Sequence, residues 1–317
     1  MLKIGILGAN ELAKDHIRIL FELKGQFEFI GFYDPNDELS SELIESFLVK
    51  RFLSYDELLE QVDCIDIVSP TIKHYEFASI ALRKSKHIFI EKPLTQTIDE
   101  AKSLINLSRE ASVKVQIGSV ERFNSAFLES LPFLNRPMLI ETHRLYHHNT
   151  QNESSVVMDL MMNDIDVILS VVKSGVKKIS ASGSCVFSDS LDIVNARIEF
   201  DNGCVASLTA SRVAQQKKCQ SSFYQKESIV NIDSLLNELE VVSLDSKESS
   251  LNKMILSERP IIKEKNPKLE EFKSFYDAIK NDNDPIVSLA NGYSSLVVAH
   301  KILELLNHSN VVVNDNI

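Results

Sequence analysis

Two features of this 317-residue chain have the residue types and spacing to hold a phosphorylated ligand. The run Gly8-Ala9-Asn10-Glu11-Leu12-Ala13 stands where an apolar stretch, residues 2–7, gives way to a helical pattern. At such a strand-to-helix junction a G-x-G-x-x-G turn lets backbone amides and a helix N-terminus meet a pyrophosphate. Gly8 takes the first position, and Ala13 the third, where alanine still permits close helix–strand packing. Asn10 replaces the second glycine. Asparagine tolerates positive φ better than most side chains, so the turn is expected to survive with reduced phosphate access. Asp34 follows about 20 residues on, at the end of a second apolar run. There it would accept from the adenosine ribose hydroxyls and repel a 2′-phosphate, favouring NAD over NADP. Asp34 alone, before Pro35, would read as an ordinary turn residue.

Other side chains narrow the chemistry. Cys64, Cys185, Cys204 and Cys219 form no C-x-x-C pair, which predicts buried free thiols rather than zinc or a redox dithiol. His143, His147 and His148 cluster after a strand-like run and could offer a base; no carboxylate–histidine spacing predicts a metal. The 44% hydrophobic and 25% charged fractions match an average globular chain and exclude a disordered polymer, a collagen or a coiled coil. Lysine and arginine number 34 against 45 aspartates and glutamates, a net charge of −11 that disfavours nucleic acid and membrane surfaces as partners. No uncharged apolar run approaches the ~18 residues of a membrane helix, and the N-terminus lacks a signal-peptide pattern. A cytoplasmic protein is expected.

These residues need elements to position them. Strand-like runs at 2–7, 27–33, 64–68, 87–90 and 114–118 alternate with helical patterns at 11–23, 38–47, 55–61, 75–83 and 98–111. Alternation of this kind predicts a doubly wound parallel sheet over residues 1–119. Beyond Gly118 the pattern changes. A strand at 137–145 and a helix at 158–172 precede strand-like stretches at 178–186, 193–200, 205–212, 220–225, 228–233 and 238–242. Asp201-Asn202-Gly203 is a strong hairpin signal. Residues 120–317 are thus expected to form an α+β domain on a broad, mostly antiparallel open sheet, with 247–265 as a surface connection and late helices at 269–280 and 290–306.

At Glu91-Lys92-Pro93, directly after the 87–90 strand, the chain resembles the Gfo/Idh/MocA oxidoreductases. The likeness extends through Tyr33-Asp34-Pro35, Ser69-Pro70-Thr71 with His74, Glu121-Arg122-Phe123-Asn124, the helix from Asp159 to Asp166 and Ala210-Ser211-Arg212. The resemblance implies a Rossmann domain binding NAD(P) through Gly8, Asn10, Glu11, Leu12, Asp34, Ser69, Pro70, His74, Glu91 and Lys92. It implies a C-terminal sheet with one face over the cofactor and the other joining a homodimer or homotetramer. The substrate would be a sugar, polyol or nucleotide-sugar, exchanging hydride with nicotinamide at a secondary alcohol or ketone. Lys92 would hydrogen-bond the reacting hydroxyl and help deprotonate it. The family's helix carries aspartate and, four residues on, histidine; here Asp159 keeps the acid, and Asn163 stands in the histidine position. Asparagine can hold a substrate oxygen but cannot shuttle a proton at neutral pH. Arg122, Asn124 and Arg144 are candidates for gripping substrate, and Arg212 with Arg122 and Asn124 resembles members that handle UDP-sugars. Asn10 and Asn163 together leave a second expectation open, a homologue that binds dinucleotide without turnover.

Overall fold

The structure is a computed structural model that describes residues 1–147, 155–244 and 255–314, with side chains described as far as residue 307. His148 and residues 247–254 of the expected surface connection lie outside the described residues. The chain divides into two compact units: Met1–Val120 with Asn266–Tyr293, and Glu121–Lys265 with Ser294–Ile317. The expected boundary at 119/120 took no account of the late segment 266–293, which packs with the first unit.

In the first unit, β1 (Leu2–Leu7), α1 (Glu11–Glu22), β2 (Phe27–Tyr33), α2 (Asp37–Phe47), α3 (Tyr55–Gln61), β3 (Cys64–Ile67), α4 (Thr71–Arg83), β4 (His87–Ile90), α5 (Ile98–Ala111) and β5 (Val115–Ile117) follow in order. The strands form one sheet, β2-β1-β3-β4-β5, parallel throughout. All four residues of β3 are buried, as a strand covered on both faces requires. Asn10, Asn36, Ser54 and Thr97 each cap a following helix through the side-chain oxygen. The α4 helix starts four residues earlier than the apolar periodicity predicts, with Pro70 in its N-cap position.

The second unit contains α6 (Ser125–Ser130), β6 (Leu139–Leu145), α7 (Met162–Val171), β7 (Val176–Ser184), β8 (Ile193–Phe200), β9 (Val205–Ser211), β10 (Lys218–Gln225), β11 (Ser228–Asp233), β12 (Glu238–Leu244) and β13 (Ile255–Glu258). Its eight-stranded sheet runs β13-β12-β11-β10-β6-β9-β8-β7 and is antiparallel except for the parallel β6–β9 pair. Burial alternates along β8: Val194, Ala196, Ile198 and Phe200 are buried while Asn195 and Arg197 are exposed, so the sheet has one packed and one open face. The β13 strand lies within the span expected to be a plain connection.

Two helices end the chain, α8 (Pro267–Lys280) and α9 (Leu289–Asn314). On α8, Phe272 stacks on Phe89 of β4 at 4.6 Å, and Phe275 stacks on Phe27 of β2 at 6.4 Å. This aromatic seam fixes α8 beside α1 on the parallel sheet. Cys64, Cys204 and Cys219 are buried free thiols as expected, but Cys185 is exposed, because it lies beyond the end of β7.

Candidate functional site

Gly8, Asp34, Ser69, Glu91 and Gly118 all lie just past the C-terminal ends of the five parallel strands. Strand order reverses beside β1, and open α/β sheets bind ligands at that point. Gly8 is the residue with unusual backbone there. Its φ is +122°, and a Cβ would sit 2.9 Å from Val68 Cγ2, so glycine is required. Asn10 is different from expectation: its φ of −77° and ψ of −179° are ordinary extended values, so no tolerance of positive φ is called upon. Its amide is committed to the protein instead. Oδ1 accepts from Ala13 N at 3.1 Å and Nδ2 donates to the Val68 carbonyl at 2.8 Å, tying the turn to the end of β3. The cap leaves the first-turn amides of Glu11 and Leu12 as the ones without an intrahelical acceptor. Ser69 Oγ is buried and has no hydrogen-bond partner among the described residues.

Asp34 Oδ1 accepts from Asn36 N at 2.7 Å. Beside it, Arg51 Nη2 donates to the Asp34 carbonyl at 2.9 Å and to Asp37 Oδ1 at 2.7 Å, a cation the sequence reading overlooked. His74 is buried, with Nε2 2.7 Å from the Ser69 carbonyl and Nδ1 3.0 Å from the Pro93 carbonyl. The ring thereby clasps the end of β3 to the turn after β4. Burial lowers its pKa, although the three surrounding carbonyls oppose this.

Behind the Glu91-Lys92-Pro93 turn lies a buried ionic cluster that sequence reasoning missed entirely. His16 Nδ1 is 2.7 Å from Asp66 Oδ2, and His16 Nε2 is 3.3 Å from Glu91 Oε1. Lys268 Nζ is 2.7 Å from Glu91 and 2.8 Å from Glu271. Burial would lower His16, but Asp66 and Glu91 overcome it and raise its pKa to about 9. Burial raises Asp66, with His16 opposing. For Glu91 burial is outweighed by Lys268 and His16, which hold the carboxyl well below the usual range. Glu271 is pushed up to about 7 by burial, with Glu91 adding to the shift and Lys268 opposing it. Three acids thus face two cations, and burial favours the protonated form of Glu271. The sequence signal for the cluster is Asp66, a charge inside an otherwise apolar strand, while α8 reads as an amphipathic helix with solvated charges.

The cluster makes stability depend on pH. A histidine whose folded pKa is raised from 6.5 to about 9 binds its proton more tightly in the native state. Its contribution is full below pH 6.5 and is lost as pH rises through 9. Unfolding free energy is expected to fall over that interval by up to about 3 kcal/mol, measured by urea titration at each pH. His16→Asn should flatten the slope; an unchanged slope would remove His16 as its source.

In the second unit one wide turn, Val157–Met161, leads into α7 and carries Asp159. Asn163 donates from Nδ2 to the Asp159 carbonyl at 2.9 Å and the Leu160 carbonyl at 3.3 Å, back onto its own helix. Burial raises the Asp159 pKa, and the Arg212 charge opposes that rise. Arg212 itself is engaged by Asp192 at 2.8 Å and by Ser188 and Ser190. Arg144 is buried between Asp164 at 2.8 Å and Glu121 at 3.1 Å. Arg122 Nη1 is buried 3.6 Å from Asp166, without a hydrogen-bond partner among the described residues. Asn124 caps α6, accepting from Phe127 N and donating to the Ser234 carbonyl. His143 and His147 are exposed, and His143 points to the face opposite Arg144. A cavity of about 610 Å³ on this unit, lined by Ser222, Asn231, Glu240 and Arg259 among others, contains none of the expected site residues. Among the described residues no group of three His, Cys, Asp or Glu could hold a metal, and no helix is long and apolar enough to cross a membrane.

Residues 2–119 match the family described as an oxidoreductase family with an NAD-binding Rossmann fold, and residues 109–230 match its C-terminal domain. The chain is a member of the Gfo/Idh/MocA oxidoreductase family. It is thus an enzyme of the oxidoreductase class by descent, with an NAD-binding domain. Among Gfo/Idh/MocA proteins, UDP-N-acetylglucosamine 3-dehydrogenase of Acidithiobacillus ferrooxidans is 29% identical over 243 residues, 76% of each chain. Its solved structure superposes with a TM-score of 0.89 at 25% identity, covering 96% of this chain and 97% of that one. The NAD⁺-dependent scyllo-inositol 2-dehydrogenase of Bacillus subtilis is 22% identical over 234 residues, 67% of this chain and 68% of its own. Levoglucosan dehydrogenase, solved with NADH, shares the fold at a TM-score of 0.83 and 19% identity, over 97% of each chain.

Proposed function

We propose that this protein is an NAD-dependent dehydrogenase acting on a secondary alcohol or ketone of a nucleotide-linked sugar. The observation that carries the substrate class is the similarity to UDP-N-acetylglucosamine 3-dehydrogenase over three quarters of both chains. Three features support a dinucleotide at the strand ends. Gly8 leaves space where a Cβ would press on Val68; the Glu11 and Leu12 amides open the first turn of α1; and the Ser69 hydroxyl is buried without a partner. Asp34 at the end of β2 supports NAD, since its carboxylate would repel a 2′-phosphate, and Arg51 nearby is already engaged by Asp37.

Oxidising a secondary alcohol removes a hydride from carbon and a proton from oxygen. When bound, NAD⁺ supplies the hydride acceptor, and the chain has to take the proton. Lys92, at the C-terminal end of β4, is the residue assigned to that transfer; Asn163 has no group able to share it at neutral pH. Asp159, Arg122 and Asn124 are assigned to the substrate by the family resemblance. Arg144, saturated by Asp164 and Glu121, acts as scaffold. The open face of the eight-stranded sheet is assigned to self-association.

The test is an NADH titration followed by fluorescence, then incubation with NAD⁺ and UDP-N-acetylglucosamine while NADH formation is followed. Micromolar binding and substrate-dependent reduction are expected. No binding at millimolar NADH would remove the dehydrogenase reading, while binding without turnover on any UDP-sugar would favour a dinucleotide-binding protein that has lost catalysis with its histidine.

A further inference from the structure

We propose that Ser119, held by Glu271, is a positioning residue for the Lys92 amine; this rests on the role assigned to Lys92 above. Lys92 Nζ donates to Ser119 Oγ at 3.1 Å. Ser119 follows β5, the neighbour of β4, and is 1% exposed. Its backbone N–H donates to Glu271 Oε1. The other Glu271 oxygen faces Lys268, which in turn holds Glu91, the residue before Lys92. Lys92 is therefore fixed at both ends by one helix. Its backbone is fixed through Glu91 and Lys268, and its amine through Ser119 and Glu271.

The rest of the geometry serves the same arrangement. A Cβ on Gly118 would fall 2.6 Å from the Glu91 carboxyl group, so only glycine lets that carboxylate lie across the end of β5. Gln116 donates to the Glu271 carbonyl at 2.8 Å, and Ser274 donates to Gln116 at 3.3 Å, registering α8 against β5. A lysine side chain loses much rotamer freedom when its amine is held, so a fixed acceptor placed before substrate arrives removes that cost from the reacting complex. Ser119 does this without touching substrate.

The experiment compares Ser119→Ala, Ser119→Thr and Glu271→Gln with the wild type and with Lys92→Met. The first readout needs neither cofactor nor turnover: the rate at which acetic anhydride acylates Lys92 in the full-length protein, measured by peptide mass spectrometry. NADH affinity and kcat follow. Ser119→Ala is expected to raise Lys92 acylation and lower kcat, each by about tenfold, the upper end of the range for one lost hydrogen bond, with NADH affinity unchanged. Ser119→Thr should restore most of both, since it keeps the hydroxyl. Glu271→Gln, which keeps an acceptor for the Ser119 N–H but not the charge, should move acylation in the same direction by less. Unchanged acylation in Ser119→Ala, or no restoration by threonine, overturns the proposal. Turnover retained in Lys92→Met would instead overturn the role of Lys92, and the acylation rates would still decide the Ser119 contact.

Discussion

Replacing Lys92 with methionine is expected to lower kcat by about 10²–10⁴ while leaving NADH affinity within a factor of two. Methionine keeps the length and apolar stem of the side chain but cannot accept a proton. The range is that of a general base removed, because the hydroxyl proton must still leave as hydride departs. A residual rate would come from orientation alone. Steady-state kinetics with a UDP-sugar, beside an NADH titration, separate the two terms. A large KM rise with unchanged kcat would show Lys92 to be a binding group and not the base.

The second large effect concerns stability. Lys268→Met should destabilise the protein by about 3–5 kcal/mol, the usual consequence of removing one partner from a buried ion pair. Lys268 Nζ lies within 2.8 Å of both Glu91 and Glu271; Glu271 is fully buried and the Glu91 side chain only 15% exposed, so neither is well solvated when it is gone. Methionine would still fill the space beside Phe89, over which the ammonium now lies at 5.8 Å. The loss would therefore be electrostatic and not a cavity. It should shrink at pH 5, where the freed carboxyl groups can protonate, and urea titrations at pH 5 and pH 8 measure the difference. Equal losses at the two values would mean that packing, not charge, explains the effect.

Much of the parallel half was legible because its physics is local. Strands buried on both faces read as mostly apolar runs, as Cys64–Ile67 does apart from Asp66, and Ser54 and Thr97 announce the helices they cap. The turn at Gly8 could be found the same way, whereas Glu91-Lys92-Pro93 stood out only through the resemblance to the family. What escaped was non-local. Lys268 and Glu271 are spaced i,i+3, which on an ordinary helix is a solvated surface pair; nothing nearby in sequence shows that Glu91 and His16 wait beneath them. Ser119 is a small polar residue after a glycine, indistinguishable by type from any turn serine. Asn10 was recognised as a departure, but its bond to the Val68 carbonyl depends on where β3 ends, 58 residues away. The parallel pairing of β6 with β9 is likewise invisible to periodicity, which sets faces but not neighbours.

The late contribution of α8 bears on how the polypeptide matures. The five strands of the parallel sheet emerge from the ribosome long before residues 266–293, so Phe27 and Phe89 leave it without the aromatic seam that later covers them. Glu91 waits equally long for its ammonium partner. Vectorial synthesis therefore delivers an incomplete nucleotide-binding half, whose exposed rings are candidates for chaperone capture until the downstream sheet has been made.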